Sequence, residues 1–129
     1  MAKVVQTAIT KNILINQGAD YRLQLKLCTG TTDSHTPIDI TGYTFKCKIR
    51  ETADSDDSVA DASCSIIDAK NGIMEVFFDD SVTGKIETDG ETYSDTSTFV
   101  YDVYSTPPDG DTTRLINGKC YVSPGVSFD

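Results

Sequence analysis

The chain has 129 residues, with 20 acidic and 11 basic side chains, a formal net charge of −9 and a pI of about 4.4. This length fits one domain with one core. The acidity argues against direct contact with DNA or RNA, which calls for a basic footprint, and against anionic membrane surfaces. Met1-Ala2-Lys3 leads into a mixed polar segment rather than a secretory signal, and no stretch is apolar and long enough to span a bilayer. A hydrophobic content of 38% suits a thin sandwich, whose strands bury alternate residues only.

Residues 1–11 read as an N-terminal arm or short strand. Ile13 and Ile15 alternate with asparagines as a short strand, and residues 17–20 turn the chain. Residues 21–28 give the cleanest strand. Tyr21, Leu23, Leu25 and Leu27 face in, worth roughly 1.5–3 kcal/mol each before entropy, while Cys28 falls in the outward phase with Lys26. A polar loop over 29–36 ends at Pro37, and Asp39-Ile40-Thr41-Gly42 reads as a turn in which Asp and Thr bond the local backbone. Phe45, Cys47 and Ile49 then alternate with Lys46, Lys48 and Arg50, a strand with one dry face and one wet face.

Residues 52–58, with Asp54, Asp56 and Asp57, form a solvated loop. Residues 60–67 make another strand, with Cys64 in phase with Ala62 and Ile66. Asn71-Gly72 closes a hairpin whose return strand places Met74, Val76 and Phe78 inward. An acidic cap predicts at most one short helical turn near residues 80–86, with Val82 and Ile86 plugging the sandwich end. Residues 87–96 are polar and exposed. Phe99, Tyr101 and Val103 form the next dry face, Pro107-Pro108-Asp109-Gly110 is a loop tip, and strands over 113–116 and 119–122 flank a kink or bulge at Asn117-Gly118. Residues 12–124 thus predict an all-β, antiparallel, immunoglobulin-like β-sandwich, with 125–129 as a C-terminal tail.

No chemistry emerges from the titratable residues. His35 is the lone histidine and lies in a polar loop, where a Ser-His-Asp constellation lacks a buried, oriented imidazole. Cys28, Cys47, Cys64 and Cys120 contain no close pair of the kind zinc sites use, and three of them share the apolar phase, so they read as reduced core residues plus one stray thiol. Asp54, Asp56 and Asp57 weakly resemble a calcium loop but lack its glycine and its distal glutamate. No catalytic, cofactor or metal site is expected. The candidate contact residues are the outward-phase Tyr104 and Tyr121, which would form a patch if adjacent, the loop residue Tyr93, and Asp54, Asp56 and Asp57.

Several motifs recur in a fixed order: Asn16-Gln17-Gly18-Ala19-Asp20-Tyr21 before a leucine-alternating strand; Pro37-Ile38-Asp39-Ile40-Thr41-Gly42-Tyr43-Thr44-Phe45 running to Ile49-Arg50; Asn71-Gly72 before an alternating strand; Phe99-Val100-Tyr101-Asp102-Val103; and Arg114-Leu115-Ile116-Asn117-Gly118 leading to Val122-Ser123-Pro124. In this order they resemble a family of small tailed-bacteriophage virion proteins. They are also similar to the N-terminal β-sandwich of phage upper baseplate proteins, over roughly residues 12–124. The resemblance implies a non-enzymatic adaptor, baseplate, tail or head-tail piece that docks on other virion proteins and on copies of itself, made in the host cytoplasm and carried in the virion. The alternatives are a receptor- or carbohydrate-binding module of a tail fibre, a capsid decoration protein, or a cellular adhesion or pilus-type domain.

Overall fold

The structure is a computed structural model describing residues 2–5, 9–30 and 35–127, with backbone only for 2–5, Gly30 and His35. The strands form two sheets. The first runs β1 (Ala2–Val5), β4 (Tyr21–Gly30), β9 (Ile73–Phe78), β8 (Ser63–Asp68), with β5 (His35–Pro37) paired to the far end of β4. In the second, β2 (Ile9–Thr10) and β3 (Ile13–Asn16) both lie on β11 (Thr113–Ser123), followed by β10 (Ser97–Thr106), β6 (Thr44–Arg50) and β7 (Ala60–Asp61). In immunoglobulin lettering these are an A-B-E-D sheet and a G-F-C-C′ sheet, so the molecule is an immunoglobulin-like β-sandwich by topology. No disulfide ties the layers: all four cysteines are free thiols.

The helical element is the single turn expected. In α1 (Asp80–Thr83) the Asp79 side chain caps the helix by accepting from the Val82 amide at 3.0 Å. Ile86 is fully buried and Val82 packs on the core, closing this end of the sandwich. Thr83, which shows no apolar signal, is also fully buried. Its hydroxyl donates to the Ala19 carbonyl at 2.9 Å and accepts from the Gly18 amide at 3.1 Å, pinning the helical turn to the turn before β4.

The core forms where the alternation predicts it. Leu23, Leu25 and Leu27 meet Met74, Val76 and Phe78 from one sheet, and Cys47, Ile49, Phe99, Tyr101 and Val103 from the other. The β8–β9 hairpin turns at Gly72, whose φ is +71°; a Cβ there would stand 2.5 Å from the Leu27 carbonyl oxygen and 2.7 Å from that of Ile38. Only glycine fits both the backbone twist and the space. The Asp39 carboxylate accepts from the Thr41 amide (3.0 Å) and hydroxyl (2.6 Å), so 39–42 is the side-chain-bonded turn expected, with Gly42 at φ +81°. Those bonds hold the Asp39 carboxyl below its usual range.

Several expectations are corrected. The antiparallel pattern holds for every pairing among the strands from β4 onward, whereas β1 runs parallel to β4, and β2 and β3 run parallel to β11. Cys28 stands in the outward phase, outside the main core cluster, but is buried rather than exposed. Strand structure extends into the expected 29–36 loop from both sides, and residues 31–34 of that loop lie outside the described residues. The 60–67 strand divides: β7 pairs with β6 in the second sheet, and β8 pairs with β9 in the first. Ile66 and Ile67 are exposed, because β8 is an edge strand whose register slips between Ile66 and Asp68.

The break in β11 falls at Leu115 rather than at Asn117-Gly118. The register passes from Val103 opposite Ile116 to Tyr104 opposite Arg114, and Leu115 and Ile116 are both buried. Gly118 serves another purpose: a Cβ there would collide with the Lys11 carbonyl, so its absence lets the chain between β2 and β3 lie against β11.

Candidate functional site

The outer face of the second sheet carries the densest set of chemistry-bearing side chains. Register places residues of β6, β10 and β11 in three rows: Lys46–Tyr104–Arg114, Lys48–Asp102–Asn117 and Arg50–Val100–Lys119. Five of the chain's 11 basic residues therefore share one sheet face in a molecule of net charge −9. Between the rows lies a groove of about 500 Å³, bordered by Arg50, Asp102, Arg114 and Lys119, with Thr10 and Asn12 along one rim. The Asn12 side chain is fixed there by accepting from the Lys119 amide at 2.9 Å.

The charges on this face are incompletely matched. Among the described residues the ion pairs within 4.0 Å are Arg22–Glu75, on the opposite sheet, and Lys48–Asp61 at 3.8 Å. Arg50 Nη1 donates to the carbonyls of Ser55 and Asp56, at 3.1 and 3.0 Å, and so steadies the 52–58 loop at the groove's edge. Asp102 is the sole carboxylate within the three rows. Partial burial pushes its pKa up, and Arg114 and Arg50 oppose that shift.

One end of the sandwich has the opposite sign. Gln17 donates to the Ile86 carbonyl at 2.7 Å, the Asp80 amide donates to Asp20 at 2.8 Å, and the Ser123 hydroxyl donates to the Tyr93 carbonyl at 2.8 Å, gathering 17–20, 79–96 and the end of β11 together. Glu51, Glu87 and Asp89 line one cleft at this end. The connections 17–20 and 79–96, with Glu51, hold eight carboxylates and one cation, Lys85, while Asp54, Asp56 and Asp57 belong to the loop beside Arg50 at the edge of the cationic groove.

The expected contact residues divide between these two regions. Tyr104 lies in the cationic face between Lys46 and Arg114, half-buried. Tyr121 is on the same outer face but pairs with Thr98 and Leu14, six residues along β10 from Tyr104, roughly 20 Å away; the two tyrosines form no patch. Tyr93 is 67% exposed on the acidic end. Asp54, Asp56 and Asp57 are exposed in their loop, where Asp54 accepts from the Thr52 hydroxyl at 2.6 Å. Among the described residues no three His, Cys, Asp or Glu side chains are grouped to hold a metal ion. The backbone of His35 lies in β5, at the rim opposite the acidic end. Burial pushes the thiols of Cys47, Cys64 and Cys120 up, those of Cys64 and Cys120 to about 11 and about 12, so these sulfurs are protonated at neutral pH.

Sequence reading missed the cationic face. The signal lay in the Lys46–Lys48–Arg50 alternation, but Arg114 and Lys119 join it only through the β10–β11 register. No helix among the described residues is long and apolar enough to cross a membrane.

No protein-family model matches the chain, and no curated protein does. A solved structure of murine CRIg aligns over 89% of this chain and 92% of its own, at 9% sequence identity and a TM-score of 0.35.

Proposed function

We propose that this chain is a non-enzymatic structural protein of a tailed-phage particle, a tail, baseplate or head-tail adaptor piece that works by docking against other virion proteins and copies of itself. The observation that carries this reading is the ordered series of motifs resembling small virion proteins, which runs through residues 12–124 of the sandwich. The surface supports it. Charged and aromatic groups are spread over a broad sheet face and a loop-built end, the layout of a contact surface rather than of a reaction centre. The chain would be made in the host cytoplasm and carried in the virion. The overall negative charge disfavours nucleic acid and anionic membranes as partners.

A mass-spectrometric inventory of purified particles tests this reading. The chain is expected at a stoichiometry that matches a ring, and its absence from the particles refutes the proposal. A receptor- or carbohydrate-binding role is the competing reading, favoured by the polar groove around Asp102, Asn12 and Arg114. Glycan-array binding by the isolated protein, lost on substituting Arg114, would select it.

A further inference from the structure

We infer that the outer face of the second sheet is a receptor for the acidic end of a second copy of this chain, giving a head-to-tail assembly. Two independent features meet in this inference. The first is the cationic face, where Lys46, Arg114 and Lys119 are exposed and have no carboxylate within 4.0 Å among the described residues. The second is the acidic end, where 17–20, Glu51 and 79–96 carry eight carboxylates and one lysine. A molecule of net charge −9 repels its copies at random orientations, so concentrating its cations on one face selects the single approach that brings them to the neighbour's carboxylates.

The two surfaces differ, so the contact is heterologous: each copy offers one to the neighbour ahead and the other to the neighbour behind. Repetition yields a ring if the rotation closes and a filament if it does not. Tyr93, exposed at the acidic end, supplies an aromatic anchor. Asp102 makes the centre of the cationic face selective, because an incoming carboxylate is drawn to Arg114 and Lys119 at the rim and repelled from the middle. This inference rests on the docking reading only in taking the molecule to work by surface contact, and it names the partner and both surfaces.

The test is sedimentation velocity on the full chain at about 50 mM and about 0.5 M NaCl, which span the range from weak to strong screening. Association is expected at low salt, with the dissociation constant rising about tenfold or more at high salt. The variant R114E/K119E and the variant E51K/E87K/E91K should each be monomeric at low salt. All the substituted side chains are exposed, and circular dichroism with thermal melting verifies that both variants fold. Mixing the two should restore association, since the intact cationic face of one variant then meets the intact acidic end of the other. A full chain monomeric at low salt overturns the inference, as does association insensitive to salt or to R114E/K119E, or a mixture that stays monomeric. Any of those results, with the chain still found in particles, leaves the virion assignment intact and assigns the cationic face to a different virion protein.

Discussion

The hydroxyl of Tyr101 donates to the backbone carbonyl of Lys11 across 2.6 Å, a bond between residues 90 apart in sequence. Tyr101 stands opposite Gly118 in the register, and Gly118 has no Cβ to push that same carbonyl away. One tyrosine and one glycine thus hold the segment that joins β2 to β3 against the sheet. Burial of the phenol raises its pKa, so it stays a donor at neutral pH. Tyr101→Phe leaves the Lys11 carbonyl without this donor and should cost about 1–2 kcal/mol. Urea denaturation should show a lower midpoint with an unchanged slope.

Gly72→Ala should be more damaging. The positive φ alone costs about 1–3 kcal/mol for a non-glycine residue, and the added methyl meets two carbonyl oxygens of β4 and its neighbour Ile38. A loss of at least about 2 kcal/mol is expected in equilibrium unfolding, with Gly84→Ala, at a right-handed φ of −66°, as the milder control.

Thr83→Val keeps the shape of a fully buried side chain and removes its hydroxyl. The Gly18 amide loses an acceptor and the Ala19 carbonyl loses a donor, so the cost should be about 1–3 kcal/mol. Amide exchange should quicken at Gly18 before it quickens in β10, because the damage is confined to the end of the sandwich.

The thiols predict an alkaline limb in stability. The unfolded chain ionises its cysteines near 9.0, whereas folding holds Cys120 to about 12 and Cys47 well above 9. Above pH 9 the unfolded state releases protons that the folded state keeps. The stabilisation is therefore complete below 9 and is lost as pH rises through the window between the two values, by at most about 1.4 kcal/mol per pH unit for each thiol. Half-exposed Cys64 contributes less. Melting temperatures from pH 8 to 11 should fall less steeply in Cys120→Ala than in the parent. At pH 8 a thiol-reactive dye should label Cys64 first and the other three only on unfolding.

The sequence discloses what depends on the chain's near neighbours. Leucines two apart in β4, aromatic and aliphatic residues two apart in β10, the Asp79 cap and the Asn71-Gly72 turn are all local devices, and the structure contains each of them. It conceals what depends on which strand lies beside which. Exposure of Ile66 and Ile67 follows from an edge position, and the parallel pairings of β1 with β4 and of β2 and β3 with β11 join segments that no local pattern brings together. The same limit applies to the site. Tyr104 and Tyr121 have the same phase but sit about 20 Å apart on the sheet, while Lys46 and Arg114, 68 residues apart in sequence, flank one tyrosine.

Strands β7 and β8 are one run of chain that leaves one layer and enters the other at Ala62, whose amide donates to the Cys47 carbonyl at 3.0 Å. The layers are stitched along that flank as pages are along a spine. A pull that peels β8 from β9 also loads β7 against β6, so this side of the molecule fails as one piece and resists shear between its two halves. A neighbour gripping the protein here would hold both layers at once.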